Sequence, residues 1–225
     1  MVQEMKYKNL LIDLDGTIID SADGVINSFR HALDCMGVSY GDRSSMIKYM
    51  GPPLSESFSE YFDTPEEVKA AIEKYRERYS VIGWKEATLF PGIDKMLAAL
   101  KEAGFGIYMA TSKPEGYAVK IAENLGVAEY FDRMFGASFD GKINTKEEVL
   151  EYALNTIYGG KYDREVNRDV LMIGDRYFDV RGAAFFGIPT LGVTFGYGSE
   201  EELREAGAAD TVPTAEDVVK WVMSH

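Results

Sequence analysis

The sequence predicts an α/β fold in which a parallel sheet is flanked by helices and a small helical domain is inserted after the first strand. Three observations support this prediction. Short apolar segments recur along the chain, amphipathic helical patterns separate most of them, and one long stretch after the first segment shows helical patterns only. With 225 residues, of which 46% are hydrophobic, the chain can bury a substantial core.

The predicted strands are short apolar runs that end at turn-forming or polar residues. The first is Asn9–Asp13, with Gly16 close behind it. Four later runs follow the same pattern, at Gly106–Ala110, Met134–Ala137, Asp169–Ile173 and Ile188–Val193. Strands that alternate with helices form parallel sheets, and such sheets bind ligands at the carboxyl ends of their strands.

Capping sequences mark the starts of several predicted helices. Thr64–Glu67, Thr145–Glu148 and Ser199–Glu202 each place a hydroxyl residue three positions before Glu, which is the pattern of a capping box. Between the first strand and the next lie helical patterns without a convincing strand, beginning with a helix over Ser21–Met36. We therefore predict a core formed by residues 1–19 and 85–225, and a helical domain formed by residues 20–84.

The charge balance excludes two classes of partner. There are 24 Lys and Arg residues against 37 Asp and Glu residues, which gives a formal net charge of −13. Affinity for nucleic-acid polymers and for anionic membranes depends on basic residues, so we expect neither partner. No apolar run approaches the length of a membrane span and no signal segment is visible, so we expect a cytoplasmic protein. The single cysteine, Cys35, is expected to pack within its helix in a reducing compartment.

Two carboxylates end the first predicted strand, in the string DLDGT. Asp13 and Asp15 start on the same face because side chains alternate along a strand. Carboxylates this close repel, so one tends to hold a proton, while a divalent cation stabilises the other as an anion. That division suits a nucleophile beside a general acid, and Gly16 allows the chain to turn. A plain Asp-Gly turn is the alternative; an EF-hand loop is excluded because its twelfth position holds Gly24, not Glu.

Polar residues also follow the second strand and begin a later helix. Thr111 and Ser112, with the free amides of the next helix, would form an anion site; a plain N-cap by Ser112 is the alternative. Lys146 lies at the start of the helix capped by Thr145, where its charge opposes the helix dipole. This conflict indicates a role such as neutralising a phosphate, for which Lys142 is a rival candidate.

Asp175 and Asp179 follow the predicted strand that ends at Ile173. They are one helical turn apart and so return to the same side. Their oxygens are ligands that Mg²⁺ prefers, although Asp175 as a helix N-cap is an alternative. Chance caps and turns explain each segment alone but explain the whole set poorly. Together the segments predict a magnesium and phosphate site at one edge of the sheet.

These residues resemble the four motifs of the haloacid dehalogenase-like (HAD) phosphohydrolases. Asp13-x-Asp15-x-Thr17 resembles the first motif, Thr111 the second and Lys146 the third, while Gly174-Asp175-x-x-x-Asp179 resembles the fourth. The resemblance spans nearly the whole chain. It implies a Rossmann-like core whose helical cap is inserted after the first motif.

The strings GPPLSESF, FPGI, TSKP and GYGSEEEL are similar to those of the phosphoglycolate phosphatase and bacterial 5′-nucleotidase-like branch. The third motif departs from the usual pattern. Many relatives have Lys-Pro there, whereas Glu147 follows Lys146 in this chain. The choice between Lys146 and Lys142 therefore stays open at the level of sequence.

The resemblance implies a Mg²⁺-dependent phosphomonoester hydrolase that acts on a small phosphorylated metabolite, of the phosphoglycolate or nucleoside 5′-monophosphate type. Asp13 would attack phosphorus to form an aspartyl-phosphate, and Asp15 would act as general acid and base. A sugar-phosphate mutase and a pyrophosphatase are enzyme alternatives, and a phospho-accepting receiver domain is a non-enzyme alternative. The protein would be a monomer or a homodimer.

The remaining site residues follow from the same resemblance. Mg²⁺ would be held by Asp13, Asp15, Asp175 and Asp179. The phosphoryl oxygens would be held by Thr111, Ser112 and Lys146. Gly16 and Thr17 would support the first loop. In the cap, the residues expected near the substrate are Lys48, Gly51 and Pro52.

Overall fold

The computed structural model describes residues 6–162 and 166–225, which form two compact units. One unit combines the segment up to Ile19 with Leu89–His225, and the other is Asp20–Thr88. We call the first the core unit and the second the helical unit. The sequence prediction ended the helical insert at Trp84, whereas the helical unit continues to Thr88 through the 3₁₀ helix Gly83–Glu86.

The secondary structure alternates in the core unit and is almost entirely helical in the other. In chain order the strands are β1 (Asn9–Ile12), β2 (Ile19–Asp20), β3 (Thr88–Leu89), β4 (Gly106–Pro114), β5 (Arg133–Ala137), β6 (Val170–Gly174), β7 (Thr190–Val193) and β8 (Asp210–Val212). The α-helices are α1 (Ala22–Cys35), α2 (Arg43–Met46), α3 (Leu54–Phe58), α4 (Pro65–Tyr79), α5 (Ile93–Glu102), α6 (Glu115–Asn124), α7 (Lys146–Tyr158), α8 (Tyr177–Phe185), α9 (Glu200–Ala206) and α10 (Ala215–Ser224).

Six strands form one sheet in the order β5-β4-β1-β6-β7-β8, and every neighbouring pair runs parallel. The predicted parallel α/β class is therefore confirmed. From β1 the chain builds one half of the sheet through β4 and β5, then returns to the other side of β1 through β6. The order thus reverses beside β1, which is where open α/β sheets place their ligand sites.

The middle of the sheet is buried on both faces, which explains the apolar runs of β1 and β6. Helix α7 covers one face with Val149, Leu150, Ala153 and Leu154, all fully buried. This stripe follows helical periodicity, and it packs against buried residues of the sheet such as Phe135. Packing of α7 on the sheet fixes the position of its first residue, Lys146.

The observed strands match the predicted ones apart from their ends. The main difference is β4, which was expected to stop at Ala110 and continues to Pro114. Its pairing register with β5 shifts between Thr111 and Pro114. The short strands β2, β3 and β8 were not predicted.

The helical unit has its own aromatic core. The Phe29 ring is stacked between Phe58 and Tyr49, with ring-centroid distances of 4.0 and 4.7 Å. Arg78 donates two hydrogen bonds of 2.8 Å to the carboxylate of Glu86, which ties α4 to the following 3₁₀ helix. These contacts connect α1, α3 and α4 with the two 3₁₀ helices Ile47–Tyr49 and Gly83–Glu86.

Two further sequence expectations meet different outcomes. The capping boxes at Thr64 and Thr145 are confirmed, with Glu67 and Glu148 as their reciprocal partners. The expectation that the Cys35 thiol is packed is wrong, because its side chain is exposed at the end of α1 with its sulfur 3.7 Å from Nε2 of His31. Within residues 6–162 and 166–225, no helix combines the length and apolar character needed to cross a bilayer.

Candidate active site

Asp13 lies immediately after β1, at the reversal point of the sheet. Its backbone N–H donates to the carbonyl of Ile173 at 2.9 Å, which continues the β1–β6 pairing by one residue. The chain then turns through Gly16, whose φ is 83°. A Cβ atom there would collide with the carboxylate of Asp175. Glycine is therefore needed at this position for two reasons: the turn itself, and the close approach of the loop after β1 to the loop after β6.

Three buried carboxylates meet at this edge of the sheet. Asp13, Asp175 and Asp179 each offer an oxygen, and these oxygens lie within 4.8 Å of one another. We call this set the acidic cluster. Its residues come from the ends of β1 and β6 and from the first turn of α8. Of the four Asp residues expected to hold the ion, Asp15 is the one whose side chain is not in this cluster. An all-oxygen donor set of this kind fits a hard divalent cation.

Hydrogen bonds from nearby residues hold the two carboxylates that follow β6, Asp175 and Asp179. Asp175 accepts a hydrogen bond of 2.7 Å from the backbone N–H of Tyr197 and one of 3.4 Å from the Thr17 hydroxyl. Asp179 accepts from the backbone N–H of Arg176 at 3.1 Å. The N-cap position of α8 is Arg176, so the alternative in which Asp175 caps this helix is wrong. The contact of Thr17 suits the loop-supporting role expected of it.

Lys146 enters the acidic cluster from α7. Its Nζ lies 2.7 Å from Oδ1 of Asp13 and 2.7 Å from Oδ1 of Asp179, and donates to the carbonyl of Ala110 at 2.9 Å. Only 5% of its side chain is exposed. Gly182 of α8 leaves room for the lysine stem, since a Cβ there would press on its methylenes.

Lys142 lies in a different environment. Its side chain is 85% exposed and pairs with Asp140 at 2.8 Å. Of the two lysines that the sequence left open, the structure brings Lys146 to the acidic cluster and leaves Lys142 on the surface.

Burial controls the electrostatics of the acidic cluster. It raises the pKa of Asp13 to about 7, with Asp179 and Asp15 adding to the rise and Lys146 opposing it. Burial, then repulsion from Asp179 and Asp13, raises the pKa of Asp175 well above its ordinary value. For Lys146, burial alone would lower the pKa, but Asp13 and Asp179 outweigh it and the net shift is upward. Three carboxylates around one ammonium leave excess negative charge, which a divalent cation would offset.

Thr111 and Ser112 lie within β4 rather than at a helix start. Helix α6 begins at Glu115 with Pro114 before it, so the alternative in which Ser112 is a helix N-cap is wrong. Thr111 is buried, and its hydroxyl accepts a 3.1 Å hydrogen bond from the N–H of Lys113. Ser112 is partly buried. The strand end, and not the helix amides, therefore positions these hydroxyls.

Sequence reasoning missed Lys113. Its Nζ donates to Oδ1 of Asp15 at 2.7 Å, and its side chain is 7% exposed. Asp15 thus has a cation of its own, separate from the Lys146 contact of Asp13. A signal was present: Lys113 is two residues after Thr111, and side chains two apart on a strand share a face.

The three cap candidates belong to the helical unit. Lys48 lies in the 3₁₀ helix Ile47–Tyr49 and forms an ion pair with Glu60. Gly51 has a φ of 106° and precedes Pro52. Their expected proximity to a substrate stays a prediction.

Comparison with known proteins agrees with this fold. The family model described as haloacid dehalogenase-like hydrolase matches residues 10–193, which include most of β1, all of α7 and the β6–α8 turn. The chain therefore belongs to the haloacid dehalogenase-like hydrolases, and it is an enzyme of that family.

Particular relatives can be named within the family. A 5′-nucleotidase of Pseudomonas aeruginosa is 36% identical over 202 residues, covering 89% of this chain and 88% of that protein. Tyrosine-protein kinase PtkA of Mycobacterium tuberculosis is 39% identical over 84% of this chain, which spans 62% of PtkA. The crystal structure of a predicted phosphatase from Clostridium acetobutylicum superposes with a TM-score of 0.90 at 40% identity, covering 97% of this chain and 99% of that one.

The burial of Lys146 predicts a large effect of its removal on stability. We expect Lys146→Met to lower the free energy of unfolding by about 3 kcal/mol near neutral pH, because Asp13 and Asp179 lose their buried counter-charge. Lys142→Met, at an exposed position, should change it by less than about 0.5 kcal/mol. Urea unfolding followed by circular dichroism, in EDTA, measures both. Equal effects of the two substitutions would contradict the assignment of Lys146 to the acidic cluster.

Proposed function

We propose that this enzyme is a Mg²⁺-dependent phosphomonoester hydrolase that works through an aspartyl-phosphate on Asp13. One observation carries the proposal. Asp13 follows β1, in contact with Lys146 and within the acidic cluster, while Asp15, two residues later, is held by a different lysine. A nucleophilic carboxylate and a separate acid are the two groups that this reaction needs.

The proposed chemistry runs in two steps. In the first, a carboxylate oxygen of Asp13 forms a bond to phosphorus as the ester P–O bond breaks, and Asp15 gives its proton to the leaving oxygen. In the second, Asp15 takes a proton from water, the water oxygen bonds to phosphorus, and the Asp13–phosphorus linkage breaks. Lys146 and Thr111 would contact the phosphoryl oxygens, where added positive charge and hydrogen-bond donors stabilise the transition state.

The metal proposal rests on the acidic cluster. Asp13, Asp175 and Asp179 would hold Mg²⁺, with Asp15 contributing its backbone carbonyl. When bound, the ion supplies positive charge that offsets the negative charge on the phosphoryl oxygens. The meeting of three buried carboxylates supports a divalent ion at this place, because burial and the acidic neighbours raise the pKa of Asp175 and a bound cation would stabilise its ionised form.

The proposed substrate is a small phosphorylated metabolite of the nucleoside 5′-monophosphate or phosphoglycolate type. The 36% identical relative named 5′-nucleotidase supports this class. The net charge of −13 argues against a nucleic-acid polymer as partner. We propose a cytoplasmic enzyme that is a monomer or homodimer, with the residues Lys48, Gly51 and Pro52 of the helical unit contributing to substrate selection.

Replacing the proposed nucleophile should abolish turnover. We expect Asp13→Asn to lose on the order of 10³-fold or more in kcat, because an amide oxygen is a far weaker nucleophile than a carboxylate. Release of inorganic phosphate from an aryl phosphate and from a panel of phosphorylated metabolites measures the loss. Asp94→Asn, at an exposed position of α5, is the matched control.

Retention of wild-type turnover by Asp13→Asn would refute the nucleophile. A wild type that transfers phosphate from ATP to a tyrosine peptide, without releasing phosphate from esters, would instead place this chain with the activity named for PtkA. Phosphate returned to a sugar phosphate would indicate a mutase, and selective cleavage of pyrophosphate would indicate a pyrophosphatase.

Metal removal should stop the reaction reversibly. We expect EDTA to abolish phosphate release and added Mg²⁺ to restore it. Mg²⁺ should also raise the melting temperature of the wild type, since a ligand at about 100 times its Kd stabilises by about 2.7 kcal/mol. Asp175→Asn should lose most of this thermal shift. Full activity in EDTA would refute the proposal that the reaction needs a metal ion.

Lys113 should matter to the chemistry through Asp15. We expect Lys113→Met to lower kcat/KM about 10- to 100-fold, because a charge-assisted hydrogen bond to the proposed acid is lost. Lys113→Arg should retain part of the activity. Lys95→Met, exposed on α5, is the control. Steady-state kinetics that show no difference between Lys113→Met and this control would remove Lys113 from the site.

A further inference from the structure

We propose that Glu202 is a positioning residue for the metal-binding carboxylates, acting by fixing the turn between β6 and α8. This turn carries two members of the acidic cluster, Asp175 and Asp179, on either side of Arg176 and Tyr177. The inference rests on the proposed function only for the identity of the ion. Metal affinity tests it without any turnover.

Helix α8 cannot cap its own first turn in the usual way. The first amides of a helix have no partner within the helix, and a side-chain oxygen at the N-cap position normally accepts from one of them. Here the N-cap residue is Arg176, whose guanidinium has donors only. An N-cap side chain would in any case accept from the second or third amide of the helix, so the N–H of Tyr177, the first helical residue, takes its acceptor from elsewhere in the chain.

Glu202 of α9 supplies that acceptor. Its Oε1 accepts a hydrogen bond of 2.9 Å from the Tyr177 N–H and one of 2.8 Å from Nε of Arg176. The Arg176 and Glu202 side chains are 15% and 27% exposed, so solvent screens this ion pair only in part. One carboxylate oxygen thus fixes both the backbone and the side chain of the turn.

Glu202 differs from the glutamates of the other capping boxes, because its carboxylate bonds to a different helix and not to the N-cap amide of its own helix. At Thr64 and Thr145 the glutamate three residues later reaches back to the N-cap amide, at 3.2 and 3.0 Å. In α9, Ser199 accepts from the Glu202 N–H at 3.1 Å, but the Glu202 carboxylate lies on the α8 turn. The predicted reciprocal box is therefore only half formed. A local rule set aside for a long-range contact is typical of a functional site.

The segment that contains Glu202 contacts the turn at further points. The N–H of Tyr197 donates to the Asp175 carboxylate at 2.7 Å. A Cβ on Gly198 would collide with the carbonyl oxygen of Asp175, so this backbone passes directly over the turn. Glu202 thus completes a set of contacts that orient the β6–α8 turn. Residues that orient metal ligands in this way typically contribute 10- to 100-fold to metal affinity.

Calorimetric titration of the apo protein with MgCl₂ tests the proposal on the full chain. We expect Glu202→Ala to weaken Mg²⁺ binding about tenfold. Glu202→Asp keeps the charge but is one methylene shorter, so it should weaken binding several-fold while disturbing folding less. Glu201→Ala, exposed on the same helix, is the matched control and should bind as the wild type does. Circular dichroism and the melting temperature of the apo variants report their folding.

Each result decides the matter. Unchanged Mg²⁺ affinity in folded Glu202→Ala overturns the proposal, even if its melting temperature falls, because the residue would then stabilise without positioning. If Glu202→Ala does not fold, unchanged affinity in Glu202→Asp overturns it equally. A wild type that binds Mg²⁺ without hydrolysing esters refutes the proposed function alone, whereas a wild type that binds no Mg²⁺ refutes both.

Discussion

The contact of the Lys146 ammonium with two buried carboxylates is the interaction on which the site depends. Asp13, Asp175 and Asp179 lie within 4.8 Å of one another and are almost wholly removed from solvent. Such a group of like charges is unfavourable unless cations compensate it. Lys146 compensates part of the charge from inside the protein, and α7 packing on the sheet holds it there. The remainder suits a divalent cation and, with it, an anionic substrate.

Close backbone approach makes this arrangement sterically possible. Gly16 lies against the Asp175 carboxylate, Gly174 against Asp179 and Gly182 against the Lys146 stem, in each case where a Cβ would intrude. The β1 and β6 ends and the α8 face can therefore converge on one small volume. The same parallel order that places β1 at the reversal point of the sheet brings these glycines together.

Two lysines give the paired aspartates of the first loop different surroundings. Asp13 shares Lys146 with the acidic cluster, whereas Asp15 pairs with Lys113 at the end of β4. Separate environments are what allow two neighbouring carboxylates to take separate roles as nucleophile and acid. Glu202 acts on the remaining two carboxylates, Asp175 and Asp179, because it orients the turn that carries them.

Local patterns in the sequence determined the parallel class and the strands β1 and β6, because short apolar runs that alternate with helical patterns indicate buried parallel strands. The meeting of Asp13 with Asp175 and Asp179 depends on the tertiary structure, since Asp13 and Asp175 lie just beyond β1 and β6. Only the tertiary structure distinguished Lys146 from Lys142. Both residues lie near the start of α7, and the choice depends on the contact of Lys146 with Asp13, which is 133 residues away along the chain. Lys113 and Glu202 were likewise decided by packing between distant segments, where local propensity has no information about the partner.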